Sequence, residues 1–190
     1  MQNTKRTQTG IICITGLPGS GKSTVADILT KTLKIRGINT LHYTSDWVRY
    51  KLYPKLLTDK NHYYRDFTQD ELERSYNGLF MLIDELLKIN PDLTIITDGT
   101  YRLESHRTRL KEISSRHKRE YKIIKVAADE KKLIPRLEKR LKSKKGFGIM
   151  NYFEAKKVYE EPKEDIFYID NNNNLKDLTS QIDEFVNIFL

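Results

Sequence analysis

The sequence IICITGLPGSGKST, residues 11 to 24, decides the fold of this chain. Its first five residues form an apolar run, which predicts a strand buried on both faces of a sheet. The following loop matches the pattern G-x-x-x-x-G-K-[ST], which is typical of a loop that binds phosphates. The residues that match this pattern are Gly16, Gly21, Lys22 and Ser23. A helical pattern follows at 22–35, so strand, loop and helix together predict a nucleoside triphosphate site.

Each part of this loop has a physical role in binding phosphate. Glycines let the backbone curl, so that successive N–H groups point at phosphate oxygens, and the positive end of the following helix faces the same anion. We expect Lys22 to reach the β and γ oxygens of ATP and the Ser23 hydroxyl to ligate Mg²⁺. The residues predicted to bind the nucleotide are Gly16, Pro18, Gly19, Ser20, Gly21, Lys22, Ser23 and Thr24.

Apolar runs alternate with helical patterns along the rest of the chain. The predicted strands are 11–15, 39–43, 93–97, 121–127 and 166–170, and the predicted helices are 22–35, 70–88, 103–117, 130–142 and 175–189. This alternation predicts the α/β class: a single three-layer P-loop domain over 11–190, with a five-stranded parallel sheet flanked by helices and a short lid. The polar start, 1–10, is expected to be a flexible arm. The polar and aromatic stretch 44–67 carries no helix or strand prediction beyond one helical turn near its start.

Composition limits the class of protein. The chain has 190 residues, of which 38% are hydrophobic, enough for one domain with a sizeable core. No apolar run approaches the roughly 20 residues of a membrane-spanning helix, and the polar start lacks the apolar stretch of a signal peptide, so we expect a cytoplasmic protein with no membrane partner. The single cysteine, Cys13, lies in the first apolar run and is predicted to be a buried core residue.

The net charge of +8 is unevenly distributed. The segment 103–145 contains 16 Lys and Arg against 6 Asp and Glu. Such an excess is typical of a nucleic-acid surface or of a site for an anionic small molecule. Solvated helix faces give the same pattern, so all three interpretations stay open at this point.

Two further segments follow predicted strands, at the edge of the sheet where ligands bind in such folds. In TSDWVR, 44–49, the spacing of Asp46 and Arg49 puts both on one helical face, where one could take a hydroxyl proton and the other hold an acceptor phosphate. In TDGTYR, 97–102, Asp98 stands where P-loop proteins usually place the carboxylate that supports Mg²⁺. The residues expected to line the same edge are Thr100, Tyr101 and Arg102.

The segment RLEKRLKSKKGFG, 136–148, is a candidate lid. Arg136 and Arg140 are four residues apart and share one helical face, and a loop with Gly146 and Gly148 follows them. A mobile lid that closes its arginines on phosphates has this pattern, and so does a solvated basic helix.

The motifs outside the phosphate loop distinguish between classes of P-loop protein. A GTPase of this size is expected to carry an N-K-x-D motif on a late strand, and the sequence has none. Motor ATPases are normally longer. A small-substrate kinase needs an acceptor site, a carboxylate and cations near the γ-phosphate, and the segments above supply all three.

With these motifs, the chain resembles the P-loop kinase family, and within it adenylylsulfate (APS) kinase. GLPGSGKSTVA is similar to the nucleotide loop of that family, Asp46, Val48 and Arg49 to its D-x-V-R element, and Tyr101-Arg102 to its S-P-Y-R element. The segment that begins at Phe67 resembles F-S-x-E-D, although Leu72 stands where an arginine is usual. The resemblance implies ATP and Mg²⁺ as cofactors, a hydroxyl-bearing small molecule as acceptor, and Phe67 as an acceptor contact.

The acceptor stays open between relatives. Asp98-Gly99-Thr100 is also similar to the D-T-N element of polynucleotide kinases, which share the Asp-x-x-Arg spacing, and a seryl-tRNA kinase has a similar core. A nucleic-acid acceptor is therefore the alternative, and a non-catalytic nucleotide-sensing or RNA-binding protein is a third class. The oligomeric state is open, a homodimer being one option.

Overall fold

The computed structural model describes residues 10–53, 67–142, 149–163 and 165–189. Within them, five parallel strands form one sheet in the order β2-β3-β1-β4-β5. The strands are β1 (Gly10–Thr15), β2 (Thr40–Thr44), β3 (Thr94–Asp98), β4 (Glu120–Ala127) and β5 (Ile166–Asp170). The helices are α1 (Lys22–Ile35), α2 (Ser45–Leu52), α3 (Gln69–Ile89), α4 (Glu104–Arg116), α5 (Glu130–Lys142), α6 (Ile149–Lys157) and α7 (Leu175–Phe189). The predicted α/β fold is confirmed.

The central strand β1 explains the three layers. Successive side chains of a strand point to opposite faces, and here Ile12 and Ile14 pack with α1 and α7, whereas Ile11 and Cys13 pack with α3 and α4. All four side chains are completely buried. The two helical layers therefore cover both faces of the sheet, and Cys13 is the core residue that the sequence predicts.

Local signals set the ends of the long helices. The α1 helix ends as predicted at Gly37, whose φ of 78° is left-handed. The N–H of Gly37 donates to the carbonyl of Lys34 and that of Ile38 to the carbonyl of Leu33, the paired bonds of a glycine-terminated helix. The α3 helix begins with a capping box, in which Thr68 and Glu71 satisfy each other's backbone N–H.

Two helices have no counterpart among the helices predicted from the sequence. The short α2 fills the first part of the unassigned stretch, and the Thr44 hydroxyl caps it by accepting from the N–H of Trp47. The α6 helix follows the lid segment and packs Tyr152 against Leu133 and Leu137 of α5. Neither helix carries a long apolar face, since each buries only a few side chains, and so periodicity does not reveal them.

Parts of three predictions fall outside the described residues. These are the N-terminal arm apart from Gly10, most of the aromatic stretch before Phe67, and the lid glycines Gly146 and Gly148. Of the residues that the structure does describe, no helix is long and apolar enough to cross a membrane. The cytoplasmic location stays a prediction.

Candidate nucleotide and acceptor site

A cavity of about 720 Å³ opens at the carboxyl ends of β1, β2 and β3. Five parts of the chain line it: the phosphate loop, the start of α2, the first half of α3, the segment after β3, and the α5–α6 pair. The described lining residues are Pro18, Gly19, Lys22, Ser23, Thr44, Ser45, Asp46, Arg49, Tyr50, Leu72, Tyr76, Asp98, Gly99, Thr100, Arg102, Arg136, Leu137, Lys139, Arg140, Asn151 and Ala155. Six of them are Lys or Arg and two are Asp, which favours an anionic ligand.

The phosphate loop needs its glycines because of both conformation and space. Gly16, Gly19 and Gly21 all have φ between 86° and 150°. A Cβ at Gly16 would lie 2.3 Å from the carbonyl oxygen of Val126 on the neighbouring strand. The loop therefore curls tightly between β1 and α1, and its backbone can approach a phosphate closely.

Lys22 lies at the floor of the cavity, where its Nζ donates a 3.0 Å hydrogen bond to the carbonyl of Leu17. Desolvation lowers the pKa of Lys22 to about 8, against the smaller opposing effects of Asp98 and Asp46. An incoming phosphate would offset this desolvation, because it would add negative charge beside the ammonium group.

Ser23 and Asp98 form the second part of the floor. The Ser23 Oγ donates to Asp98 Oδ2 at 2.9 Å, and His42 Nε2 lies 2.6 Å from Asp98 Oδ1. Asp98 is 3% exposed and ends β3 next to the end of β2. The carboxylate predicted to support Mg²⁺ is thus held beside the serine predicted to ligate it.

Asp46 and Arg49 face the floor from α2. The Nη1 of Arg49 lies 2.6 Å from Oδ1 of Asp46, and the arginine is buried whereas the aspartate is about half exposed. The guanidinium also stacks over the ring of Phe67, with 4.9 Å between Cζ and the ring centroid. Phe67 itself is not among the described residues that line the cavity, and its contact with an acceptor stays a prediction.

The segment after β3 places Thr100 and Arg102 at the cavity but not Tyr101. Arg102 is held by a hydrogen bond to the Gln69 side chain. Tyr101 has a left-handed φ of 41°, and its ring is completely buried against Tyr76. This backbone turn directs the ring into the core and away from the cavity, and a substrate contact of Tyr101 stays a prediction.

The lid arginines approach the phosphate loop from α5. The Nη2 of Arg136 donates to the carbonyl of Asn171 at 2.9 Å, and Nη1 is buried with no hydrogen-bond partner among the described residues. Asn171 in turn donates from Nδ2 to the carbonyl of Ser20 at 2.7 Å. Arg136 is therefore tied to the loop through Asn171, while Arg140 lies on the exposed side of the same helix and lines the cavity.

Most of the predicted site residues meet at this one cavity. The exceptions besides Phe67 and Tyr101 belong to the loop itself: the Ser20 hydroxyl is buried, Thr24 is exposed on α1, and Gly16 and Gly21 shape the backbone. The described residues at the site that the sequence did not indicate include His42, Tyr50, Leu72, Tyr76, Asn151 and Asn171. Asn171 and Tyr50 could have been found, since Asn171 directly follows a predicted strand and Tyr50 lies four residues after Asp46.

Comparisons with known proteins show the family of this chain. The sequence model of a family described as "AAA domain" matches residues 12–160. Over 95 residues, 48% of this chain, the sequence is 35% identical to a Sulfurisphaera tokodaii protein named "Putative adenylate kinase". That alignment spans only 40% of the length of the relative.

Solved structures share the fold over nearly the whole chain. The Mycobacterium tuberculosis APS kinase CysC, solved with AMPPNP and APS, has a TM-score of 0.69 at 18% identity and covers 95% of this chain and 97% of its own. Chaetomium thermophilum Kti12, solved with ADP-AlF3, has a TM-score of 0.74 at 18% identity and covers 95% and 99%. At such identities these similarities show the fold alone.

Proposed function

This chain belongs to the AAA domain family, and we propose that it is an ATP-dependent kinase. It transfers the γ-phosphate of ATP to a hydroxyl of a nucleotide-like small molecule, and adenylylsulfate is the leading candidate acceptor. The observation that carries the proposal is that Lys22 and Ser23 share one cavity with Asp46 and Arg49. A phosphate donor and an acceptor alcohol can therefore meet in a single cavity, as phosphoryl transfer requires.

The nucleotide half of the cavity holds the triphosphate. Lys22 and the backbone N–H groups of the loop bind the β and γ oxygens. The buried Nη1 of Arg136 is a further hydrogen-bond donor for the triphosphate, and the bond from Nη2 to the carbonyl of Asn171 fixes its orientation. Arg140 and Lys139 supply further positive charge from the same helix as charge spreads over the moving phosphoryl group.

The residues at the floor fit a magnesium ion. Ser23 and Asp98 offer oxygen donors, which Mg²⁺ prefers, and it is usually bound by one or two such groups together with substrate phosphates. In the described part of the chain, no cluster of three or more His, Cys, Asp or Glu could hold a metal by itself, in keeping with such a shared site. Held by Ser23 and Asp98, Mg²⁺ would neutralise the negative charge that develops on the phosphates during transfer.

The acceptor half performs the proton transfer. The Asp46 carboxylate takes the proton of the acceptor hydroxyl, whose oxygen forms a bond to the γ-phosphorus as the bond from that phosphorus to the β–γ bridging oxygen breaks. ADP leaves with its charge on the β-phosphate. Arg49 and Arg102 hold an anionic group of the acceptor, while Tyr50, Leu72 and Tyr76 offer apolar surface to the rest of the molecule.

The alternative is a polynucleotide or tRNA kinase, which the basic segment 103–145 favours. In the structure, several of these cations are engaged within the chain. Arg107 donates to the carbonyl of Tyr101, Arg116 pairs with Asp84, and Lys125 pairs with Glu161. Arg119 lies near the carbonyls that end α3. The basic excess thus serves the fold in part, which supports the small-molecule acceptor.

A transfer screen tests the proposal. ATP labelled at the γ-phosphate is incubated with adenylylsulfate, nucleosides, 5′-hydroxyl oligonucleotides and tRNA, using the parent protein, Lys22→Ala and Asp46→Asn. We expect labelled product from a small nucleotide-like acceptor with the parent and strongly reduced product with either variant. Label transferred only to oligonucleotide or tRNA would establish the alternative acceptor. Nucleotide binding without transfer to any acceptor would favour the non-catalytic class.

A further inference from the structure

We propose that His42 is a positioning residue, which holds the Asp98 carboxylate in the orientation that supports a nucleotide-bound Mg²⁺. No motif in the sequence indicates this histidine, since it lies within β2 and before the TSDWVR segment. The inference rests on one element of the proposed function, the binding of a magnesium–nucleotide complex, and does not depend on which acceptor is used.

The hydrogen bonds give each oxygen of Asp98 a separate donor. A carboxylate can only accept, so the 2.6 Å contact places the proton of His42 on Nε2, which donates to Oδ1. The Ser23 hydroxyl donates to Oδ2 at 2.9 Å. Because the two donors come from β2 and from α1, they hold the carboxylate by both of its oxygens.

The hydrogen bond from His42 matters because Asp98 is buried. Asp98 is 3% exposed, so little solvent is available to replace a lost donor at Oδ1. Without the imidazole N–H, Oδ1 would be a buried acceptor without a partner, and the carboxylate would turn to recover one. Such a rotation would withdraw Oδ2 from Ser23 and disturb the oxygen pair that fits the metal.

The second ring nitrogen of His42, Nδ1, makes no hydrogen bond to the nearby Asp27. This nitrogen lies 3.9 Å from Oδ1 of Asp27, which is beyond hydrogen-bond distance, and the Asp27 side chain is largely exposed. The ring therefore acts on Asp98 through Nε2, and Asp27 serves as a natural control. Groups that orient a metal ligand in this way typically change metal affinity by about 10- to 100-fold when they are removed.

The test uses two variants that differ only in reach. In His42→Gln, the side-chain amide N–H extends to about the position of Nε2, whereas in His42→Asn it reaches only the position of Nδ1. Asp27→Asn is the matched control. Calorimetry measures the affinity of each protein for a non-hydrolysable ATP analogue, once with excess Mg²⁺ and once with EDTA, and the ratio of the two affinities is the magnesium enhancement.

We expect the magnesium enhancement of His42→Asn to fall about tenfold or more, while His42→Gln stays within about threefold of the parent. Affinities in EDTA should agree among all four proteins, and Asp27→Asn should behave as the parent. Equal enhancement in His42→Asn and the parent overturns the inference. An equal loss in both His42 variants, or a loss that is as large in EDTA, assigns the histidine a purely structural role. Absence of magnesium enhancement in the parent would instead overturn the proposed function.

Discussion

The Ser23 hydroxyl donates a 2.9 Å hydrogen bond to Asp98 across 75 residues of sequence. The bond joins the first turn of α1 to the end of β3, and so it connects the phosphate loop to the strand that leads into Thr100 and Arg102. The nucleotide half and the acceptor half of the cavity are therefore built on adjacent strands of one rigid sheet. Each half can be tested separately, because different side chains carry each role.

Replacing the lysine of the phosphate loop should remove nucleotide binding. Lys22→Ala deletes a cation from the site of the β and γ phosphates, so we expect affinity for ATP or turnover to fall strongly. The melting temperature should change little, because within the described part of the chain the Lys22 side chain makes a single hydrogen bond, to the carbonyl of Leu17. Lys31→Ala, an exposed lysine on the same helix, is the control. Transfer by Lys22→Ala at the parent rate would show that this loop is not the active site.

Removing the charge of Asp46 should separate chemistry from nucleotide binding. Asp46→Asn keeps the size of the side chain but cannot take the acceptor proton, so turnover should fall on the order of 10²-fold or more. Calorimetry should show that ATP binding survives, and the exposed Asp92→Asn should match the parent in both measurements. If ATP binding weakened as much as turnover, Asp46 would have a structural or metal-holding role.

Periodicity in the sequence was sufficient for the main elements and insufficient for short ones. The bounds of α1, α5 and α7 agree with the prediction, since each of these helices follows a clear pattern of apolar residues. The α2 helix has eight residues and buries only Ser45, Val48 and Arg49, so it gives no such pattern.

Motifs in the sequence could not predict contacts between residues that lie far apart along the chain. His42 meets Asp98 across 56 residues, and Asn171 meets Ser20 across 151. Nothing local to either residue indicates its partner. The burial of the Tyr101 ring was not predictable for a different reason, because its left-handed φ is a property of the folded turn and not of the residue type.

Two glycines should differ in how much stability they contribute. Gly37→Ala meets no atom within 4 Å, so it should cost only the left-handed backbone conformation, about 1 kcal/mol of unfolding free energy. Gly16→Ala has a backbone cost of about 1 to 3 kcal/mol, and its Cβ would also overlap the Val126 carbonyl. It should therefore be clearly more destabilising than Gly37→Ala. Urea unfolding compares them, and equal losses would contradict the tight curl of the loop.

The buried thiol should be unreactive in the folded protein. Burial raises the pKa of Cys13 to about 12, and the thiolate is the reactive form. At pH 8 the folded protein should therefore hold on the order of 10³-fold less thiolate than an exposed cysteine. A coloured disulfide reagent should label one thiol only after denaturation. Rapid labelling of the native protein would place Cys13 outside the core.

Salt dependence should separate a small acceptor from a nucleic acid. A polynucleotide must contact several cations at once and release counterions, so its affinity would fall with salt at a log–log slope near −0.9 per phosphate on duplex and about −0.7 on single strands. A small nucleotide-like acceptor would contact only cations that line the cavity, and Arg49 and Arg102 are the candidates. We expect turnover with such an acceptor to depend little on salt.

The variant that makes this test decisive neutralises exposed lysines of the basic segment. Lys118→Asn, Lys131→Gln and Lys132→Gln remove three exposed charges without disturbing Arg107 or Arg119, which bond to backbone carbonyls. Asparagine suits position 118 because its φ is 55°. Turnover with adenylylsulfate should stay near that of the parent in this triple variant. The contrary result has three parts: RNA binds tightly with a steep salt slope, the triple variant weakens that binding, and no phosphate is transferred to adenylylsulfate. This result would overturn the proposal that adenylylsulfate is the acceptor and would establish the nucleic-acid alternative.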